Sequence, residues 1–192
     1  HHSDDTWTYY VNPLTQIQPA IHIANEGDTV ELRSGNFYET IDLSGKAITL
    51  QGTLDKSGDP ISRLAPAEDG IDDTSAITIS SNSNGCVIQD LWISGSDPLG
   101  GGLYCSQSNP TINNCVFDSC VGLYGGGAYV YVYGIYAPVF TNCIFQNNKT
   151  EAGSSTYGGA GVYIRYAGTT PNTVPFSDCI FTDNASDEGW AG

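Results

Sequence analysis

GGGLYCSQSNPTINNCVF, from Gly100 to Phe117, is followed by GGGAYVYVYGIYAPVFTNCIF, from Gly125 to Phe145, and by a looser copy, GAGVYIRYAGTTPNTVPFSDCIF, from Gly159 to Phe181. Each copy opens on glycines, runs into an alternating strand, turns near a proline (Pro110, Pro138, Pro175) and closes on a second strand through Asn or Asp, Cys and Phe. Self-similarity of this kind marks a repeat architecture in which each unit buries its apolar side against its neighbours. The interval from Tyr104 to Tyr129 is 25 residues and that from Tyr129 to Tyr163 is 34. The strands are therefore shared while the turns between them vary in length, as expected of loops that project from a solenoid.

Strand alternation assigns the faces. Leu103, Ala128 and Val162 share a phase with Cys105, Val130 and Ile164, and these six are expected in the core. Their neighbours then point outward, with Tyr104, Tyr129 and Tyr163 in one column, Ser106, Tyr131 and Arg165 in the next, and Ser108, Tyr133 and Ala167 beyond. Neighbouring coils of parallel strands lie ~4.8 Å apart, so the three tyrosines should stack as a ladder that Tyr131 and Tyr133 widen into a platform. Such a platform suits sugar binding, because aromatic faces stack on pyranose C–H surfaces while phenol hydroxyls and Arg165 hydrogen-bond ring hydroxyls. The same ladder also serves simply to stabilise one face of a solenoid, by ~0.2–1 kcal/mol per pair.

A second inner column consists of Cys115, Cys143 and Cys179, with Phe117, Phe145 and Phe181 in the same phase. Asn114, Asn142 and Asp178 precede the cysteines and should face outward or sit at a bend, where side-chain amides can bond along the axis. Cysteines stacked at equivalent sites are poorly set for disulfide torsions, so these three are expected as buried free thiols. Cys86, Cys105 and Cys120 stay open on this argument, and no CxxC or Cys/His pairing supports zinc.

Before the repeats, Leu14, Ile17, Ile21 and Ala24 fall at helical spacing and predict a helix over about 13–24 that closes the N-terminal end of the stack. A first coil follows over about 28–52, with strands at Thr29–Leu32, Tyr38–Leu43 and Ala47–Leu50, and the repeat coils run over about 76–192, starting with Ala76–Ser80, Val87–Gln89 and Leu91–Ile93. Leu91 aligns with the cysteine column. Short strands, tight turns and no intervening helices describe an all-β coil of parallel strands with one capping helix. Asp55–Ser75 reads as an irregular loop carrying Glu68, Asp69, Asp72 and Asp73, four carboxylates that could hold calcium; their spacing matches no EF-hand loop, and a solvated acidic loop explains them as well.

Two stretches carry a family resemblance. GDTVELRSGNFYETIDLSGKAITLQG, from Gly27 to Gly52, resembles the first coil of right-handed parallel β-helix proteins such as pectate lyases and pectin esterases. GGGLYCSQSNPTINNCVFDSC, from Gly100 to Cys120, is similar to the GGG-I-Y-C, S-S-P-T-I, N-C-T-F repeat of bacterial right-handed β-helix proteins, related to repeats of polymorphic outer-membrane proteins and surface adhesins. The resemblance implies a right-handed parallel β-helix, secreted or surface-displayed, and specifies chemistry hardly at all.

Composition narrows the function. Six Lys and Arg against 21 Asp and Glu give a net charge of −15, which opposes nucleic-acid binding and anionic membranes. No apolar run reaches the ~18 residues of a membrane span, so no membrane insertion is expected. The acidic, lysine-poor composition fits an extracellular or cell-surface setting. His1-His2-Ser3 reads as a purification-tag remnant ahead of a single domain over 4–192, and the chain is expected to be a piece of a longer repeat protein whose open last coil favours end-to-end self-association. Enzymes on this fold that cleave acidic polysaccharides need an Arg or Lys base and charge neutralisation, and only Arg165 falls on an outer repeat face; Asp118, Asp178 and Asp183 form no obvious acid/base pair. The motifs by which the family's polygalacturonases and pectin esterases are recognised do not occur. A non-catalytic glycan-binding or adhesive module needing no cofactor is the expectation, with calcium as an option and with a fragment of a polysaccharide lyase or glycoside hydrolase, or a structural stalk, as the alternatives.

Overall fold

The structure, a computed structural model, describes residues 6–66, 75–81, 83–97, 99–151, 158–167 and 173–186. Among these residues every strand pairing within a sheet is parallel, and the strands form four sheets of seven, six, five and four members. From Ile77 onward the order within each coil is constant. Leu103–Ser106 lies in the five-stranded sheet, Asn109–Asn113 in the seven-stranded sheet, Val116–Asp118 in the six-stranded sheet and Val121–Gly122 in the four-stranded ribbon, after which Ala128–Tyr133 starts the next coil. The chain thus winds as a parallel β-helix, and residues one coil apart stack in register: Leu103 on Ala128, Phe117 on Phe145, Ile112 on Phe140. Leu91 falls one rung below Cys115, since Trp92 pairs with Val116.

The interior is a set of columns. Phe117, Phe145 and Phe181 stack at 4.7 and 4.9 Å with nearly parallel rings, the rung spacing setting the separation. Phe140 and Phe176 form a second stack at 4.8 Å, and the two stacks meet edge to face at 5.7 Å, so the ring edges of one approach the faces of the other. The glycine triplets exist because of this packing. A Cβ on Gly102 would lie 2.9 Å from the Phe117 ring and against the Gly127 carbonyl, and one on Gly127 would meet Phe145 and the Gly161 carbonyl in the same way.

Buried polar groups run beside the apolar columns. Asn148 is fully buried: its Oδ1 accepts from the Cys120 N–H at 2.9 Å, and its Nδ2 donates to the Phe117 carbonyl at 3.0 Å and to Asn184 Oδ1 at 2.9 Å. Asn184 repeats the pattern one coil on, donating to the Phe145 carbonyl. At the corners, Asp90, Asn114, Asn142 and Asp178 all take left-handed backbone (φ 50 to 60°), and Asn114 donates along the axis to Asp90 at 2.8 Å. Short polar residues tolerate this conformation better than apolar ones, which is why the column before the cysteines is Asn or Asp.

The aromatic, β-prone run over residues 6–11 supplies a strand, Thr8–Val11, that precedes the helix and forms the outermost member of the seven-stranded sheet, pairing with Thr29–Leu32. After it, the N-terminal region departs from the sequence-based picture in three ways. The helix itself is only Gln18–Ile23; Ile17, Ile21 and Ala24 are buried as the spacing suggests, but Leu14 lies in the preceding turn and is fully exposed. Tyr38–Leu43 is not one strand: Gly35–Phe37 joins the six-stranded sheet and Ile41–Asp42 the five-stranded one, leaving Tyr38 outside at the corner. Ser62–Leu64, inside the stretch read as loop, is a six-stranded-sheet member whose inward Ser62 hydroxyl donates to the Leu32 carbonyl at 2.8 Å.

Candidate ligand-binding face

The outer face of the five-stranded sheet collects the tyrosines. Its strands are Ile41–Asp42, Ile77–Ile79, Leu103–Ser106, Ala128–Tyr133 and Val162–Ala167. Register places Asp42, Thr78, Tyr104, Tyr129 and Tyr163 in one column, Ser106, Tyr131 and Arg165 in a second, and Tyr133 with Ala167 in a third. The tyrosine rings of the first column follow one another at 5.5 and 5.6 Å, tilted by 41° and 32°.

All six residues singled out for ligand contact therefore share one surface, but they do not share one role. Tyr129 is only 6% exposed, because Tyr124 lies over it with ring centroids 5.3 Å apart and nearly parallel. Tyr124 also reaches within 6.0 Å of Tyr163. Burial pushes the Tyr129 phenol up from its ordinary value, while a hydrogen bond from Arg165 acts in the opposite direction. Tyr129 is thus the support of the platform, and Tyr131, half-buried Tyr104 and Tyr163, and exposed Tyr133 offer its accessible surface. Arg165 joins two columns, hydrogen-bonding the Tyr129 side chain and lying 5.6 Å from the Tyr131 ring centroid. Arg33 over Tyr10 and Arg63 over Trp92 repeat that cation–π arrangement elsewhere.

Two sequence expectations fail here. Ser108 is buried rather than outward: the strand ends at Ser106, Gln107 turns through left-handed backbone (φ 48°), and the Ser108 hydroxyl donates to the Ser106 carbonyl. Tyr124 went unrecognised because it sits in a turn, where strand alternation gives no orientation. Its one signal is position, immediately before the Gly125 triplet, as Leu99 stands before Gly100.

Other candidate groups are used by the scaffold. Asp118 accepts from Asn147 Nδ2 at 2.8 Å, and Asp178 and Asp183 sit at corners in left-handed backbone (φ 53°). All six cysteines are free; Cys179 is half-buried and the other five are buried. Desolvation pushes the thiols of Cys86, Cys105 and Cys143 up to about 12 and raises Cys115 and Cys120 as well, so the buried thiols are neutral packing groups. Glu68, Asp69, Asp72 and Asp73 lie outside the described residues. Among the described residues no group of three or more His, Cys, Asp or Glu is placed to hold a metal ion, and no helix is long and apolar enough to cross a membrane.

Parallel coils, stacked inner columns and left-handed polar corners agree with a family match: the model of the right handed beta helix region covers residues 17–190. The chain belongs to the right-handed β-helix family. This right-handed β-helix is similar to a crystal structure of pectin methylesterase in complex with hexasaccharide VII (TM-score 0.52, 14% identity, 88% of this chain and 62% of that one). It is also matched, at TM-score 0.38 and 12% identity, by the pectin methylesterase from Aspergillus niger in deglycosylated form, over 89% of this chain and 80% of that one. The β-helix thus spans less than two thirds of the first of these enzymes, and at such identities the likeness is one of fold. No curated protein matches it.

Proposed function

We propose that this β-helix is a non-catalytic, extracellular glycan-binding or adhesive module whose ligand lies along the outer face of the five-stranded sheet. The observation that carries the reading is the tyrosine platform: stacked rings in register over three coils, braced by Tyr124 and edged by Arg165. Rings held at rung spacing present aromatic surface whose conformational entropy is already spent, which suits an extended sugar chain. The net charge of −15 argues against nucleic acids and anionic membranes as partners and fits a location outside the cytoplasm. The hexasaccharide held by the pectin methylesterase of the same fold is in keeping with a saccharide ligand, without assigning one.

A glycan array probed with wild type and with Tyr131→Ala/Tyr133→Ala tests the reading. Both residues reach the surface, so the double variant keeps the fold and loses the platform. Removal of stacking worth about 1 kcal/mol per ring predicts a loss of binding of roughly tenfold or more. Absence of any wild-type hit, or equal binding by the variant, refutes the proposal. The alternative, that the chain is part of a polysaccharide lyase or glycoside hydrolase, has behind it only the likeness of fold to a pectin-acting enzyme. Release of unsaturated or reducing-end products from uronic-acid polymers, with or without calcium, would favour it.

A further inference from the structure

The tyrosine column does not stop at Tyr104. One rung towards the N-terminus it continues as Thr78 and one further as Asp42, and there the sheet meets the capping helix. Between helix and sheet lies a cleft of about 400 Å³, walled by Gln18 and His22 on one side and by Thr40, Asp42 and Thr78 on the other. We propose that this cleft is a second subsite, taking uncharged, hydroxyl-rich sugar units of a chain whose other units lie on the tyrosine platform. The proposal rests on the glycan-binding reading of that platform and extends it to the cap.

Three observations carry it. The first is lining chemistry. Amide, imidazole, hydroxyl and carboxylate groups converge on the cleft, Ile41 and Ser75 at its floor are almost wholly buried, and the aliphatic parts of the same side chains give it apolar surface as well, so it offers a sugar both hydroxyl partners and C–H contacts. The second is rigidity. The Gln18 side chain pairs like a strand residue with the free edge of Ile41–Asp42, donating to the Asp42 carbonyl at 3.0 Å and accepting from its N–H at 2.9 Å. Glu39 accepts from the N–H groups of Ile17 and Gln18 at 2.7 and 2.8 Å, and Lys46 Nζ donates to the His22 and Ala24 carbonyls at 3.0 Å. Both ends of the helix are thereby fixed, and the wall carrying His22 is set before any ligand arrives.

The third observation is alignment and charge. Asp42 stands two rungs, ~10 Å, from Tyr104 in the same outward column, so a chain that reaches Tyr104 from the platform continues past Thr78 to the cleft. The His22 imidazole has no hydrogen-bond partner among the described residues, and the Asp42 carboxylate accepts only from the Ser44 N–H there. A carboxylate with spare acceptor capacity takes hydroxyl protons and repels another carboxylate, which selects neutral sugars over uronates.

Isothermal titration with short and long neutral oligosaccharides (cello- and manno-series) and with oligogalacturonates tests this, on wild type, His22→Ala, Asp42→Asn and Tyr131→Ala/Tyr133→Ala, each checked for an unchanged thermal melt. The expected result is that His22→Ala and Asp42→Asn weaken the long neutral ligands about tenfold and leave the short ones unaltered, whereas the tyrosine variant weakens both. Equal affinity of wild type and both cleft variants for long neutral ligands overturns the subsite while leaving the platform reading intact. Unaltered short-ligand binding by the tyrosine variant overturns the platform reading instead. Tighter binding of oligogalacturonates than of neutral chains, insensitive to Asp42→Asn, overturns the assignment to neutral sugars.

Discussion

Replacing Asn148 by alanine should be among the most damaging single substitutions in the chain. Asn148 is completely buried, and its amide satisfies the Cys120 N–H, the Phe117 carbonyl and the Asn184 side chain at once. Alanine leaves the Cys120 N–H without its partner inside the stack and removes the second donor to the Phe117 carbonyl, which keeps its ladder bond to the next coil. A buried N–H stripped of its partner costs ~1–3 kcal/mol and a lost hydrogen bond about 1 kcal/mol more, so the change predicts a loss of about 3 kcal/mol. With a urea slope of about 2–3 kcal/mol/M for a chain of this size, the midpoint should fall by roughly 1 M. Because each coil contacts only its neighbours, the damage should concentrate between Val116 and Thr150, and hydrogen exchange at the Cys120 amide should accelerate more than exchange at Val30. Asn184→Ala is the internal control. It removes the acceptor of the Asn148 N–H and Nδ2 and one of two donors to the Phe145 carbonyl, but Asn184 is only half-buried and water can take its place, so its cost should be smaller than that of Asn148→Ala. Equal midpoints for the two variants, or a Cys120 amide whose exchange is unchanged in Asn148→Ala, would refute the account of the ladder as a source of stability.

Three further outcomes follow from the same packing. In the native protein a small thiol reagent at neutral pH should label Cys179 alone, all six thiols reacting in denaturant; mass-mapped rapid labelling of Cys115 or Cys143 in the folded state would contradict their burial. Asp28 accepts from the Trp7 and Asn25 N–H groups at 2.7 and 2.8 Å, and these bonds hold its carboxyl below the ordinary 3.8. A depressed folded-state value stabilises above the unfolded pKa and the benefit fades as pH falls through the folded one, so the stability gap between wild type and Asp28→Asn should narrow as pH drops below about 4, and a gap constant from pH 7 to 2 would refute the link. At the last described coil Ile180 and Phe181 are 55% and 46% exposed, whereas Phe145 one coil earlier is fully covered, so Phe145→Ala should lower the urea midpoint by far more than Phe181→Ala, and equal shifts would contradict the stacked-column account.

The sequence declared the parts of the fold that repeat with apolar residues. The inward phase of Leu103, Ala128, Cys105 and Val130, the Cys and Phe columns and the polar corner before each cysteine could all be aligned by eye. It concealed the positions where an inward residue is polar. Ser62 and Asn148 occupy core positions that strand alternation assigns to apolar side chains, and each is tolerated because its hydrogen bonds run along the axis to a neighbouring coil. Such partners sit 28 to 36 residues away, beyond any local pattern. Cys120 illustrates the ambiguity. It stacks under Asn148, yet one is a thiol and the other an amide, so the column shows no shared residue type.

The candidate site was legible for the opposite reason and incomplete for a related one. Outer columns carry no packing requirement of their own, since register is imposed from inside by Phe117, Phe145 and the glycine triplets. A tyrosine in each of three successive coils is therefore aligned automatically, and strand phase alone finds Tyr104, Tyr129 and Tyr163. Phase gives direction, however, and not exposure. Tyr124, delivered from a turn, covers Tyr129, and the capping helix, delivered from outside the coil order, adds Gln18 and His22 to the far end of the same column. Elements that lie outside the repeat thus decide which outward residues a ligand can touch, and loop insertions can reshape that surface while the inner columns hold the coils in place.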